Sequence, residues 1–145
     1  MSDASDPRQL VVNLFQAWSS GDPDEVAALF QPDAVFFDNV NGRFDGRAAI
    51  RQFYAGSLEV WDDLKTAPTR IWVDGDTAAC VWTMTGRMKT DRFGAGLAGS
   101  TARIDGMAWI RFVDGLVAHD EEYFDRGAPL ASLEGRGFLT PQTAP

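Results

Sequence analysis

Apolar residues recur every three to four positions through the first sixty residues. From about Thr66 they recur every second position, so the pattern predicts helices first and a sheet second. Leu10, Val11, Leu14, Phe15 and Trp18 form one stripe, with Asp6 placed as N-cap, Pro7 as first helical residue and Ser19-Ser20-Gly21 as the stop. Asp22-Pro23-Asp24-Glu25 opens a second helix with a capping-box spacing; its apolar side is Val26, Leu29 and Phe30, where it is expected to end. Gln31-Pro32-Asp33 turns the chain into a short strand, Ala34 to Phe37, closed by Asp38. Gly46 starts a third helix whose face of Ala49, Ile50, Phe53 and Tyr54 runs to about Glu59.

The second half reads as a meander. Arg70–Val73 is a strand, Asp74-Gly75-Asp76 a tight turn, and Thr77–Met88 a long strand. Residues 89–100 form a Gly-rich hairpin loop whose glycine spacing does not match a phosphate loop. Thr101–Phe112 and Leu116–Phe124 follow, joined at Asp114-Gly115, and residues 125–133 are expected to form a short helix. The expectation is an α+β fold, one domain over residues 1–145 with disordered ends at about 1–5 and 136–145, its helices packed on one face of a curved sheet.

Alternation identifies the enclosed face of that sheet. Ala102, Ile104, Gly106, Ala108, Ile110 and Phe112 share one side of their strand, opposite Arg103, Asp105 and Arg111. Cys80, Trp82 and Met84 are the bulky residues of the preceding strand. The last strand breaks the rule, with Asp120 and Glu122 on its even side and His119 and Glu121 on its odd side. Periodicity leaves open whether Asp120 and Glu122 face an apolar interior or solvent.

Composition narrows the partners. The 145 residues carry a net charge of −8, which argues against nucleic acid and anionic membranes. No apolar run would span a bilayer, the N-terminal stretch lacks a basic-then-apolar signal, and the single cysteine, Cys80, suits a reducing compartment. A cytoplasmic protein is expected. Five Trp and ten Phe suit a dense core or a pocket for a polycyclic ligand. No His, Cys and carboxylate spacing suggests a metal site, and no cofactor is expected.

The segments AWSSGDPDEVAALFQPDAVFFD, GRAAIRQFYAGSL and DGLVAHDEEYFD, with the meander between them, resemble the SnoaL-like branch of the NTF2-like superfamily, over roughly residues 7–127. That branch includes ketosteroid isomerases, polyketide cyclases and limonene-epoxide hydrolases. The resemblance implies an NTF2-like cone: a strongly curved antiparallel sheet, three to four helices enclosing a pocket, and a homodimer through sheet faces. The odd face, with Val81, Met107, Trp109 and Tyr123, is the surface expected to pair.

Carried over residue by residue, the resemblance puts the isomerase proton-shuttling carboxylate at Asp38. The isomerase oxyanion donors would fall at Phe15 and Ala108, where no donor stands. Glu122 matches a water-activating carboxylate of epoxide hydrolases, although Val81-Trp82-Thr83 replaces their arginine and second aspartate. SnoaL-type cyclases use an acid near Asp120 and Glu122. Asp38, Asp120 and Glu122 are therefore the catalytic candidates. Phe15, Trp18, Phe36, Phe53, Tyr54, Cys80, Trp82, Met84, Ala108, Ile110 and Phe124 are the substrate-binding candidates. Tyr54 and the indoles of Trp18 and Trp82 are candidate replacement donors.

The expected function is cofactor-independent acid–base chemistry of the isomerase, cyclase or dehydratase type on a hydrophobic, polycyclic or polyketide-like carbonyl compound. Epoxide opening and a non-catalytic binding or dimerisation module are the alternatives. Asp38→Asn is expected to cost activity with little loss of stability.

Overall fold

The computed structural model describes residues 6–92 and 94–125. Within them α1 (Pro7–Trp18), α2 (Pro23–Ala27) and α3 (Arg47–Val60) pack against a six-stranded sheet. The strands are β1 (Phe30–Asp38), β2 (Gly42–Asp45), β3 (Trp61–Asp74), β4 (Thr77–Met88), β5 (Thr101–Val113) and β6 (Leu116–Phe124), in the order β2-β1-β6-β5-β4-β3. Every neighbouring pair is antiparallel except β1 and β6, which run parallel, so the sheet is mixed and open. The architecture is the expected α+β fold with three helices, but the sheet is mixed rather than antiparallel throughout, because β6 returns beside β1 from the far end of the chain; the candidate helix at residues 125–133 falls almost wholly outside the described residues. No described helix is long and apolar enough to cross a membrane.

Local chemistry explains the boundaries. The Asp6 carboxylate accepts the Arg8 amide at 3.1 Å and Pro7 needs no donor partner, so α1 starts where the capping residues put it. α2 stops at Ala27, three residues before the expected end at Phe30. The Leu29 carbonyl there accepts from the Val117 amide at 2.8 Å, and Phe30 already pairs with Val117. A tertiary strand contact thus outcompetes one further helical turn.

Both edges of the sheet are longer than the residue pattern suggested. β3 extends back to Trp61, although Asp62-Asp63 and Pro68 break its alternation. Register shifts fall at both places, and β3 is an edge strand, where a missing proline N–H costs no ladder bond. β2, which the pattern did not reveal, forms the other edge through the turn after Asp38.

The enclosed face of β5 is the even one throughout, and Ala102, Ile104, Ala108, Ile110 and Phe112 are all buried. In β6 a bulge shifts the parity. Arg111 pairs with His119 but Phe112 pairs with Val117, leaving Ala118 as the extra residue. Val117, Asp120, Glu122 and Phe124 therefore share the inner face, and the open question about the last strand is settled inward. The core joins this face to Val11, Leu14, Phe15 and Trp18 of α1 and Ile50 and Tyr54 of α3.

Candidate functional site

Strand register assembles the site. Asp38 pairs with Glu122, Glu122 with Ala108, and Ala108 with Cys80, so one rung crosses four strands. The adjacent rung carries Phe36, Asp120, Ile110 and Ala78. Three carboxylic acids thus occupy two neighbouring rungs of one enclosed face.

Above them lies a cavity of about 540 Å³, within the ordinary range for small-molecule sites. Its floor is Phe36, Asp38, Glu122, Phe124, Trp82, Met84 and Ile104; α1 adds Phe15 and Trp18, and α3 adds Phe53 and Tyr54. The aromatic wall is continuous, with Phe44 and Phe53 centroids 4.6 Å apart, Phe36 and Phe53 5.2 Å, and Trp18 and Phe36 5.6 Å. Gly106 lets the Trp82 indole lie close against β5, since a Cβ there would stand 2.3 Å from the ring.

Ten of the fourteen candidate residues line the cavity. Cys80, Ala108, Ile110 and Asp120 do not. They lie on the enclosed face, but the helices pack over them, and each is at most 3% exposed. Among the residues the pattern missed, Val40, Asn41 and Phe44 come from the β1–β2 hairpin and Trp61 and Leu64 from the hidden start of β3. Arg92 reaches the rim from the Gly-rich loop, which the Asp91 carboxylate ties down through the Ala98 amide at 2.8 Å.

The three acids differ in their surroundings. Asp38 is 2% exposed and well satisfied: it accepts the Val40 amide at 2.8 Å, the Asn41 side-chain amide at 2.8 Å, and the Asn41 backbone amide. It thereby builds the turn into β2. Asp120 is fully buried, and neither of its oxygens has a hydrogen-bond partner. Burial, reinforced by the Asp38 charge, pushes its pKa up to about 8, although the neighbouring Glu122 carboxyl pulls it back somewhat. Glu122 faces the cavity and is raised well above the ordinary carboxylate range, first by desolvation and then by Asp120 and Asp38. No lysine or arginine forms an ion pair with any of the three among the described residues. That leaves protons to relieve the charge on Asp120 and Glu122.

The candidate donors also separate. The Tyr54 hydroxyl donates to the Trp18 carbonyl at 2.8 Å and accepts from the Gly21 amide at 3.0 Å, so it fastens α3 to the end of α1 and is not available to a ligand. The indole N–H groups of Trp18 and Trp82 are buried without an acceptor. His119 lies on the outer face, 3.5 Å from Glu121 and edge-on to Trp109.

Comparison with known proteins agrees with this architecture. The family model for the SnoaL-like domain matches residues 11–119. Solved structures with the same fold include the proposed polyketide cyclase IdmH from Streptomyces antibioticus, at TM-score 0.79 and 20% identity over 88% of this chain and 98% of that one. A proposed polyketide cyclase from Xanthomonas campestris pv. campestris superposes at TM-score 0.78 with 21% identity, covering 87% of this chain and 95% of the other. A Catenulispora acidiphila protein with a ketosteroid isomerase-like fold, in complex with trimethylamine, gives 0.78 at 19% identity over 87% and 92%. No curated protein matches at a significant level.

Proposed function

The chain belongs to the SnoaL-like domain family, and from that premise we propose that it is a cofactor-independent acid–base catalyst acting on a hydrophobic carbonyl compound. The observation that carries this reading is Glu122, a carboxyl with a raised pKa opening into an aromatic cavity of about 540 Å³. An acid whose pKa approaches working pH can both take and return a proton.

In the proposed step the ionised Glu122 removes a proton from the carbon next to the substrate carbonyl. The C–H pair moves into the carbon–carbon bond and the carbonyl pair onto oxygen, giving an enolate. Glu122 then returns the proton to another carbon or to a departing oxygen, completing isomerisation, cyclisation or dehydration. The Trp18 and Trp82 side chains line the cavity but their unpaired indole N–H groups are buried beneath its wall, so an indole would have to turn toward the substrate to stand in for the groups missing at Phe15 and Ala108. Asp38 lies opposite Glu122 across the parallel strand pair.

Flat polycyclic carbonyl compounds are the substrate class that the aromatic wall fits. The exposed outer face, with Met107 50%, Trp109 40% and Tyr123 49% accessible, is the surface through which we propose a homodimer. The three hydrogen bonds on Asp38 favour a second reading, a ligand-binding module without turnover, because they occupy that acid structurally.

One experiment separates the two. Purified protein is offered a panel of polycyclic enones and polyketide-like ketones, with turnover and binding followed in parallel. Glu122→Gln should reduce turnover by about 10²–10⁴ while binding persists. Tight binding with no turnover of any panel member, and no exchange of the ligand's α-protons with solvent, would establish the binding module instead.

A further inference from the structure

The cavity carries a positive charge, far from Glu122, that the proposed step leaves unused. Among the described residues Arg92 is the one lysine or arginine lining the space, whose other charged residues are Asp38, Glu59 and Glu122. It stands on the loop between β4 and β5. Glu122 pairs with Ala108, and six positions of β5 separate Ala108 from Ala102 at the base of that loop, roughly 20 Å of strand. Met84 and Ile104, which pair with each other, line the stretch between. A ligand that touches both Glu122 and Arg92 is therefore elongated, with the two contacts at opposite ends.

The Arg92 guanidinium is held near the cavity yet uncommitted. Among the described residues it forms no ion pair, although Asp91 precedes it and Glu59 lines the same space. The Asp91 carboxylate is occupied by the Ala98 amide at 2.8 Å, and the Asp91 carbonyl accepts the Gly94 amide at 3.0 Å. Both sides of the loop are anchored. Lys89 fastens its start to the end of α3, its amide donating to the Val60 carbonyl at 2.8 Å and its ammonium to the Leu58 carbonyl at 3.3 Å. Leu97 packs against Met88 and Ala102, as does Trp61 of the cavity wall. The loop's other cation is thus spent on α3, and Arg92 is not.

An unpaired cation at the rim of an apolar cavity bears on what binds there. The net charge of −8 makes the overall field repel anions. A guanidinium offsets that repulsion locally, and its planar fork matches a carboxylate with two parallel hydrogen bonds. We infer that Arg92 is a specificity-determining residue that recognises an anionic group, a carboxylate or similar oxyanion, at the end of the substrate remote from its reacting carbonyl. The inference rests on the reading of the cavity as a site for hydrophobic carbonyl compounds and narrows that class to polycyclic keto acids. Glu59, exposed on α3, disfavours an anion on its own wall, so the carboxylate belongs on the loop side.

The test compares two forms of one ketone, the 3-hemisuccinate of estrone and the methyl ester of that hemisuccinate, which differ in charge and a single methyl group. Binding is followed by calorimetry in wild type, Arg92→Gln and Arg92→Lys, at low and high salt. Wild type should bind the acid roughly three- to tenfold more tightly than the ester, since an exposed charged pair is worth less than a buried one. The preference should shrink as salt rises. Arg92→Gln should bring the acid down to the ester, and Arg92→Lys should keep part of the difference. Asp91→Ala, which releases the loop but keeps the guanidinium, should weaken the preference as well. Equal affinity for the two forms in wild type, or a preference that survives in Arg92→Gln, would overturn the inference and leave the chemistry at Glu122 untouched. Binding of neither form would overturn it together with the polycyclic substrate class. Charge-selective binding without exchange of the ketone's α-protons would support Arg92 and count against the enzyme reading alone.

Discussion

Asp38 stands directly opposite Glu122, across the single parallel pair in the sheet. One residue closes the first strand and the other lies near the end of the last, 84 positions later by subtraction of their numbers. The Asn39 amide donates to the Glu122 carbonyl at 3.2 Å, which fixes the two strand ends together. This pairing places a hydrogen-bonded carboxylate beside one that faces the cavity. The consequences can be tested without knowing the substrate.

Asp38→Asn should destabilise the fold, contrary to the expectation that followed from placing Asp38 as the proton-shuttling carboxylate. Three N–H donors converge on this carboxylate, and an amide would oppose at least one of them with another donor. Leaving buried donors unsatisfied costs about 1–3 kcal/mol, so thermal denaturation should show a clearly lower Tm. An unchanged Tm would mean that the β1–β2 turn does not depend on Asp38.

Asp120 should make stability fall as the solution becomes alkaline. Its folded pKa of about 8 lies above the ordinary 3.8, so the folded state binds more protons between those values. Its stabilising contribution is full below the unfolded pKa and is lost as pH rises through the folded one. Asp120→Asn should therefore gain Tm over wild type most at pH 8–9 and least near pH 4. Chemical denaturation at several pH values checks this, and a gain independent of pH would contradict it.

Gly106→Ala should be costly even though its backbone is ordinary strand. The added methyl would meet the Trp82 ring at 2.3 Å, and overpacking of this kind costs about 1–3 kcal/mol. Because the two positions touch, Trp82→Leu should relieve much of that cost in the double variant, giving non-additive stabilities. Additive losses would show that the indole does not rest on Gly106.

Trp109→Glu on the outer face should turn a dimer into a monomer. Trp109, Met107 and Tyr123 are each 40–50% exposed, and a charge at the centre of an apolar contact is poorly tolerated. Light scattering on wild type and variant decides the matter. A monomeric wild type at high concentration would remove the proposed interface.

The sequence by itself determined the elements whose signals are local. α1 begins where Asp6 and Pro7 cap it, and β4 and β6 run between the residues that alternation and turn glycines marked. The even face of β5 follows from side-chain geometry alone, since successive strand residues point to opposite sides. Ten of the cavity's residues were likewise legible, because large apolar residues on an enclosed face tend to meet.

What the tertiary structure decided depended on which strands lie side by side. A parallel partner from the far end of the chain leaves no periodic trace, so nothing local could place Asp38 beside Glu122. The bulge at Ala118 turned Val117 and Asp120 to the same side, which strict alternation forbids. Edge positions concealed β2 and the start of β3, where Pro68 and the paired aspartates are tolerated because one side of the strand needs no ladder. Depth separated the candidates last. Asp120 and Glu122 are chemically near-equivalent in the chain, and only packing from the helices and neighbouring strands left one in the dry core and opened the other to the cavity.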